Sequence, residues 1–475
     1  MGFVSIALAC CCCDIVLPVR LGLLVAGILY GAWSIWLGVR ESKATVLHIN
    51  PLVTYQIWQA ATLGLSPVYI AIHYAGTDQV AFGPRFVSLT QVAYGHAIMV
   101  VGALCLYVGM KQFKPKERTS GSGASDVSSG WELLTYFAVG AAIFVSSNRI
   151  TATLGSVFAS LSSLPLAALS LFAMKPPTRA RRSRSLYWAT LLSGTGILLV
   201  QSGLGDSKMM LSFSFIPLGI AVLKLKKTYL LLLFGFGMIA VYALIITPVV
   251  GNIRLRTHRL EAGQQVSVLT SNGLRDIQEQ LRSDWQADPV EYAATWLDNM
   301  ALRLGDPIAA GAVADYAESS GYLFGAGLDY IPSSFIPRVL WHDKPIIERG
   351  RYFTRVLGMA SDESTATTST GETSAGELFW CFGWPGVILG MYILGAVTSA
   401  VWWGAASGTP TNGIFEMTVF LGVTLSFVAG TGAAAGPAFV GAFSAGIVMR
   451  ALIRSREWIL PRNRRRSQAR LIPSA

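Results

Sequence analysis

The residues best suited to chemistry lie in one short segment late in the chain, Phe335–Pro345. Arg338 follows Pro337 directly, and proline restricts both its own backbone and that of the residue before it. Arginine offers a planar fork of donors that matches phosphate oxygens, and Lys344 adds a point charge. The segment therefore predicts a phosphate-binding site. The alternative is an interfacial loop whose cations reach for lipid headgroups.

Further cations lie in the polar region that precedes this segment. Arg254, Arg256 and Arg259 follow an apolar stretch directly, and Arg303 lies in Leu302-Arg303-Leu304-Gly305-Asp306. Each could add to anion binding, since guanidinium groups bind phosphate well. The alternative for the first three is salt bridges to nearby acids, and for Arg303 a local pair with Asp306.

Three other residues stand at positions where ionisable groups often act. Lys208 ends a glycine-rich break between two apolar stretches, so it either lines an anion-binding cavity or meets headgroups in a turn. Glu377 begins an apolar stretch, where a carboxylate either handles a proton or stabilises a helix N-terminus. His342 is either a proton-transfer group or structural. The chain has no metalloprotease, Walker or paired Cys/His signature, so we expect no metal and no cofactor.

The elements that position these residues are predicted to be membrane-spanning helices. The chain has 475 residues, of which 52% are hydrophobic and 13% charged. Several apolar stretches exceed about 18 residues, the length that crosses a bilayer as helix. The predicted class is an all-α polytopic membrane protein with about twelve spans. These fall near 2–18, 20–39, 52–74, 89–110, 131–148, 154–174, 186–204, 208–223, 228–250, 376–404, 411–429 and 433–453.

One long polar segment, residues 251–376, interrupts the spans, and we call it the island. It divides the chain into an N-terminal bundle of about nine spans at 1–250, the island, and C-terminal spans with a basic tail at 377–475. The island holds 11 Lys and Arg against 16 Asp and Glu, a net charge of −5, so the remainder of the +11 chain carries +16. With twelve spans, every basic connector falls on one side, which is the cytoplasmic side by the positive-inside rule. Both termini are then cytoplasmic and the island is outside.

The island itself is predicted to be partly helical. Asp288, Pro289 and Glu291 suit the N-cap, first and third positions of a helix. Tyr292, Trp296, Met300 and Leu304 then recur every four residues, which predicts one apolar face. A shorter helix is expected at 274–286.

Together these features resemble the oligosaccharide repeat-unit polymerases, the Wzy-type O-antigen polymerases of bacterial envelopes. The resemblance rests on three sequences between Lys208 and Trp384: the glycine-rich break carrying Lys208, I-P-R-x-L-W-x-D-K-P at Ile336–Pro345, and G-E-x-x-x-x-F-G at Gly376–Gly383. The first 185 residues resemble that family in hydropathy alone. The resemblance implies a C-type glycosyltransferase fold in the bacterial inner membrane, with a periplasmic island and the active site where the island meets the membrane.

The resemblance also implies a reaction. A sugar hydroxyl of one repeat unit attacks the anomeric carbon of a glycan carried on undecaprenyl pyrophosphate, and the lipid pyrophosphate leaves. The partners implied are these lipid-linked glycans, membrane lipids, a chain-length regulator and a flippase, without nucleic acid. Glu377 or His342 would orient or deprotonate the acceptor, and cations would bind the pyrophosphates. These cations are Arg338, Arg303, Lys208, Lys344, Arg254 and Arg256.

Two other functions remain open from the sequence. An O-antigen ligase-type transferase shares the same features but passes the glycan to a lipid A core. A lipid-linked oligosaccharide flippase or another transporter would place its key charges within the spans. The second to sixth predicted spans contain few charges, which favours an enzyme.

Overall fold

The protein is described by a computed structural model, which covers parts of the chain from residue 16 to residue 406. The described residues are 16–43, 51–74, 77–82, 85–112, 130–145, 164–174, 181–204, 214–224, 282–283, 285–303, 305–334, 349–358 and 371–406, with Glu279, Ile336, Leu340, Trp341 and Asp343. The predicted spans at 228–250, 411–429 and 433–453 lie outside them.

The described part of the chain is mostly helical, as predicted. Its helices are α1 (Val16–Lys43), α2 (Pro51–Gln59), α3 (Ser66–His73), α4 (Leu89–Gln112), α5 (Gly130–Val145), α6 (Leu164–Met174), α7 (Arg181–Leu204), α8 (Ile216–Lys224), α9 (Pro289–Arg303), α10 (Asp306–Ser320), α11 (Tyr330–Ser334), α12 (Arg349–Val356) and α13 (Ser374–Ala406). A π-helical segment, Ala60–Leu65, joins α2 to α3, and a 3-10 turn, Phe324–Gly327, follows α10.

Where the predicted spans fall on described residues, nearly all of these residues are helical. By length and composition alone, three of the described helices could cross a membrane: Leu17–Glu41, Leu89–Gln112 and Ser374–Ala400, the last of which contains a break at Gly383. The all-α prediction needs one correction. Two short strands, β1 (Gln79–Phe82) and β2 (Arg85–Ser88), pair as an antiparallel hairpin directly before α4. β-branched and aromatic residues at Val80, Phe82, Phe86 and Val87 suit this extended conformation.

Helix α4 lies at the centre of the main bundle, and three glycines at intervals of seven residues let other backbones approach it closely. A β-carbon at Gly95 would meet backbone atoms of α10, one at Gly102 would lie 2.9 Å from the Ala375 β-carbon, and one at Gly109 would meet the α13 backbone. A spacing of seven residues keeps the glycines on nearly one side of a helix. Small residues at helix crossings are typical of membrane bundles, where close packing replaces the hydrophobic effect.

A second close crossing joins α1 to the π-helical segment. Gly27 and Gly31 form a G-x-x-x-G pair in α1, and a β-carbon at either would lie within 3.2 Å of Gly64. A π-helical turn carries one extra residue and usually marks a local constraint. Here the Leu63 carbonyl oxygen is 3.0 Å from the buried His96 Nε2 of α4. The His96 ring therefore presents an N–H to that carbonyl.

Helix α13 is two limbs that fold back on each other at Gly383, rather than the single span predicted at 376–404. Gly383 has φ 64° and ψ −150°, a conformation open essentially to glycine. A β-carbon at Gly390 would lie 2.6 Å from the Leu378 side chain, although twelve residues of straight helix would separate them by about 18 Å. We call 374–382 the short limb and 384–406 the long limb.

The two ends of the bundle can be told apart by their polar contacts. At the C-terminal end of α4, Lys111 Nζ lies 3.6 Å from Glu41 Oε1 of α1, and the Tyr107 hydroxyl donates to the same oxygen at 3.2 Å. At the opposite end lie the hairpin and the island helices. Asp298 of α9 accepts a hydrogen bond from Tyr69 of α3 there, at 3.1 Å.

The predicted island helix is present as α9, with the N-cap that the sequence indicates. The Asp288 carboxylate accepts hydrogen bonds from the backbone N–H groups of Val290 and Glu291, both at 2.9 Å. The island is more than a surface layer, however. Helix α10 is buried against α4, with Pro307 and Gly311 at Gly95.

Replacing Gly95 with valine should disrupt the contact of α10 with α4. The branched side chain would overlap backbone atoms that cannot move aside, and overpacking of this kind costs about 1–3 kcal/mol or more. We expect Gly95→Val to lower the thermal midpoint of the purified protein clearly. Gly196→Val is the matched control, because a β-carbon there meets nothing within 4 Å. Equal midpoints for the two variants would contradict the packing of α10 described above.

Candidate functional site

The candidate site lies where two short helices begin inside the bundle and run towards the island end. Ala375 of the short limb lies at Gly102, whereas Phe379 contacts Tyr94, two turns nearer the start of α4, with ring centres 5.8 Å apart. Helix α10 runs in the same direction, with Pro307 at Gly95 and Gly311 at Gln91. Both helices therefore direct their N-termini, which carry partial positive charge, into the bundle.

Glu377 is the one sequence-predicted site residue whose side chain the structure describes, and it is fully buried in the short limb. The hydroxyl of Tyr330, which is also buried, donates a hydrogen bond to the carboxylate, at 2.9 Å from Glu377 Oε1 and 3.2 Å from Oε2. The carboxylate is thus held by a donor from the island, on α11.

Thr373 caps the N-terminus of the short limb. It has a left-handed backbone, with φ 63°, and its hydroxyl oxygen accepts the Gly376 N–H at 3.0 Å. Its carbonyl accepts the Glu377 N–H at 2.9 Å. The hydroxyl thus satisfies one of the N–H groups that a helix leaves without intrahelical partners, and the carbonyl accepts the first intrahelical bond, which fixes where the short limb begins.

The break at Gly383 is stabilised from the island side. Gly383 interrupts the helix, and the Trp380 carbonyl accepts a hydrogen bond of 3.0 Å from the Leu323 N–H. The Trp380 ring is enclosed by Tyr316 of α10, at 5.4 Å, and by Tyr352 and Phe353 of α12, at 6.0 and 6.1 Å. Island helices therefore pack directly on the limb that carries Glu377.

Helix α12 brings two further cations to this end of the bundle. Arg355 stacks over the Tyr352 ring at 5.2 Å, and Arg351 precedes Tyr352 directly. Sequence reasoning missed both residues. The sequence did contain a pattern that could have indicated them. Arginines at 349, 351 and 355 flank the two aromatic residues that pack on Trp380, Tyr352 and Phe353.

Asp306, considered in the sequence only as a partner for Arg303, is buried at the inner end of α10. Its Oδ2 atom has no hydrogen-bond partner among the described residues. Burial disfavours the charged carboxylate and raises the pKa of Asp306 to about 7. Tyr55 of α2, also buried, is within electrostatic reach of this carboxylate. A carboxyl group with such a pKa can take up or release a proton near neutral pH.

The side chains of the other predicted site residues lie outside the described part of the chain. Arg303 ends α9, and its side chain lies outside the described part. The remaining ones all fall outside the described residues: Lys208, Arg254, Arg256, Arg259, Arg338, His342 and Lys344. Among the residues that are described, no group of three or more His, Cys, Asp and Glu side chains could hold a metal ion.

An apolar cavity of about 570 Å³ lies elsewhere in the bundle, between α5, α6 and α7. Leu133, Phe137, Leu169, Phe172 and Ile197 are among its lining residues. This volume is in the range of small-molecule sites, and its walls suit a hydrocarbon chain.

Comparisons with known proteins add no assignment. No protein-family model, no curated protein and no solved structure matches this chain.

Asp306→Asn should stabilise the protein in a manner that depends on pH. The folded-state pKa is raised above the unfolded value, so folded protein holds the proton more tightly, and wild-type stability falls as pH rises from about 4 to about 7. The amide carries no charge and avoids this loss. We expect the free energy of unfolding of the variant to exceed that of wild type at pH 8 by on the order of 2–4 kcal/mol, which appears as a higher thermal midpoint. The difference should be smaller at pH 5. Asp315→Asn, on the exposed side of α10, is the control. A gap that does not change with pH would contradict the burial of Asp306.

Tyr330→Phe should destabilise the protein because it removes the donor to a buried carboxylate. Leaving a buried polar group without its hydrogen-bond partner costs about 1–3 kcal/mol. The measurement is thermal unfolding at pH 7. Tyr322→Phe, at a residue that is 40% exposed, serves as the matched control and should change the midpoint little. The contact with Glu377 would be refuted if both variants unfolded at the same temperature.

Proposed function

We propose that this chain is a membrane glycosyltransferase that polymerises oligosaccharide repeat units carried on undecaprenyl pyrophosphate, at the outer face of the bacterial inner membrane. The observation that carries the proposal is the burial of Glu377 against Tyr330, in the same Gly376–Gly383 sequence on which the family resemblance rests. A carboxylate held by an island residue, on a short limb that packs against the island helices, suits a reaction that takes place where the island meets the membrane.

The reaction joins two lipid-linked glycans. The acceptor hydroxyl oxygen forms a bond to the anomeric carbon of the growing glycan, and the bond from that carbon to the pyrophosphate oxygen breaks. The hydroxyl proton passes to a carboxylate, and Glu377 is our candidate, with His342 as the alternative. Departing pyrophosphate carries away the negative charge, so cations around it favour the transition state.

The cations assigned to pyrophosphate come from two sources. The sequence supplies Arg338 and Lys344 from the Ile336–Pro345 segment. It also supplies four cations from elsewhere in the chain: Arg303, Lys208, Arg254 and Arg256. Helix α12 adds Arg355, which stacks on Tyr352 beside Trp380, and Arg351, which precedes Tyr352 in the chain. Polyprenyl chains need apolar walls inside the membrane, and the cavity between α5, α6 and α7 offers such walls.

The polar contacts at the two ends of α4 support the membrane orientation assumed here. Glu41 and Lys111 lie in the predicted cytoplasmic connectors and contact each other at one end. The island helix α9 and the connector hairpin, predicted to be outside, both lie at the other end. Multi-pass insertion with both termini cytoplasmic, a chain-length regulator and a flippase as partners belong to the same proposal.

A lipid-linked oligosaccharide transporter is the second candidate, and one observation favours it. Transporters of several folds use helices interrupted near the membrane midplane, whose N-termini and buried acids form the substrate and ion site. The short limb and α10 both begin inside the bundle, with Glu377 and Asp306 buried near their starts.

Deleting the gene and analysing the surface glycan on gels separates the candidates. Loss of a polymerase leaves a single repeat unit on the anchor, because units are exported but not joined. Loss of a ligase-type transferase removes all attached glycan, whereas loss of a transporter traps units inside the cell. We expect the first pattern. Either of the other two would overturn the polymerase proposal.

Arg338→Lys should abolish the polymer ladder at a normal level of protein. Lysine keeps the charge but loses the planar fork that grips two phosphate oxygens at once. The measurement is glycan gel analysis in the deletion strain complemented with the variant. Arg282→Lys, at an exposed position elsewhere in the island, should restore the full ladder. An undiminished ladder with Arg338→Lys would refute the proposed role of this arginine.

A further inference from the structure

Three aromatic rings follow one another before and along the first turns of α9. Trp285 precedes α9, and its ring centre lies 5.7 Å from that of Tyr292, which in turn lies 6.2 Å from that of Trp296. Trp285 is 45% exposed, and the other two rings are half-buried. The first pair meets edge to face, with the ring planes at 81°, and the second pair is tilted by 59°, so the three rings form one contiguous aromatic surface. We call these three residues the aromatic row.

The aromatic row is separate from the contacts that hold α9 to the bundle. Asp298 makes those contacts: its Oδ1 atom accepts the Tyr69 hydroxyl at 3.1 Å and the Tyr74 hydroxyl at 3.5 Å, and lies 3.6 Å from His73 Nε2. With about 100° per residue, Asp298 is displaced by about 120° from Tyr292 and by about 160° from Trp296 around the helix. The row therefore faces away from its anchoring contact.

Two kinds of surface could cover exposed aromatic rings at this end of the bundle, a lipid interface or a glycan. Interfacial helices carry lysine and arginine on their polar face, because bacterial headgroups are often anionic. Residues 282–303 instead contain Arg282 and Arg303 against four acids, a net charge of −2. The acids are Asp284, Asp288, Glu291 and Asp298. This charge opposes an anionic lipid surface.

The same features suit a polyhydroxylated chain. The C–H faces of pyranose rings carry slight positive charge and stack on the negative faces of aromatic rings. Exposed carboxylates beside the rings, such as Glu291, can accept hydrogen bonds from sugar hydroxyls. Rigid aromatic side chains provide this contact area at low cost in conformational entropy.

We infer that the aromatic row is a glycan-binding surface that holds the growing polysaccharide outside the reaction site. This inference rests on the proposed function for its ligand class, a chain of repeat units. A chain of several units presents the binding sugars more than once, so its apparent affinity should rise with length. A polymer held on α9 stays near the active site between additions, because α9 is fixed to α3 through Asp298.

The test uses the purified full chain in nanodiscs and lipid-free oligomers of the repeat unit, released by mild acid from the surface glycan of the organism that carries the gene. Calorimetry measures their affinity. We expect oligomers of several units to bind more tightly than a single unit, and Trp285→Ala combined with Trp296→Ala to weaken them by about tenfold or more. Val290→Ala is the control, because Val290 is 78% exposed on the same helix.

Equal affinity in wild type and the double variant would overturn the inference, as would a lack of binding by wild type. Quenching of the tryptophans at 285 and 296 by lipids with brominated acyl chains, judged against the double variant, would assign the row to the membrane surface and also overturn it. These readouts need no polymerisation. The surface glycan of the deletion strain therefore tests the proposed function separately. Tyr292→Phe keeps the aromatic ring, so this variant should bind the oligomers like wild type.

Discussion

The chain reversal at Gly383 is the constraint on which the rest of the site depends. It folds the short limb back on the long limb, so that Leu378 packs against Gly386 and Gly390. Without it, the first turns of α13 would extend beyond the bundle, and Glu377 would lie in the island rather than inside. The reversal is possible because glycine adopts its backbone angles and because the Leu323 N–H satisfies the Trp380 carbonyl.

The space for the short limb and α10 comes from the glycines of α4. The α10 backbone meets α4 at Gly95, and side chains of both limbs of α13 meet it at Gly102, at distances that a larger residue would prevent. Close packing of this kind brings polar groups into the interior, where each must find a partner or stay neutral. Glu377 has Tyr330, whereas burial raises the pKa of Asp306 to about 7, so that a proton can neutralise it. Polar chemistry inside the bundle thus follows from how the backbones pack.

Local patterns in the sequence predicted the elements well, but not how they fold together. Asp288, Pro289 and Glu291 placed the start of α9 because capping depends on residues only two or three positions apart. The apolar stretches placed the long helices for the same reason. The reversal was missed because Phe382-Gly383-Trp384-Pro385 lies within a continuous apolar stretch, and hydropathy does not report backbone angles. The sequence offered Asp306 only as a partner for Arg303, because its burial depends on the packing of α10 against Gly95, more than two hundred residues earlier.

The most direct test of this account is a disulfide cross-link between the two limbs of α13. Leu378→Cys and Gly390→Cys, in a background without the native cysteines, should form a disulfide rapidly when membranes are treated with a mild oxidant. The two side chains lie in contact across the reversal, whereas a straight helix would separate them by about 18 Å. Leu378→Cys with Ala400→Cys should stay reduced. A 378–390 pair that remains reduced under conditions that oxidise accessible thiols would contradict the reversal, and with it the burial of Glu377.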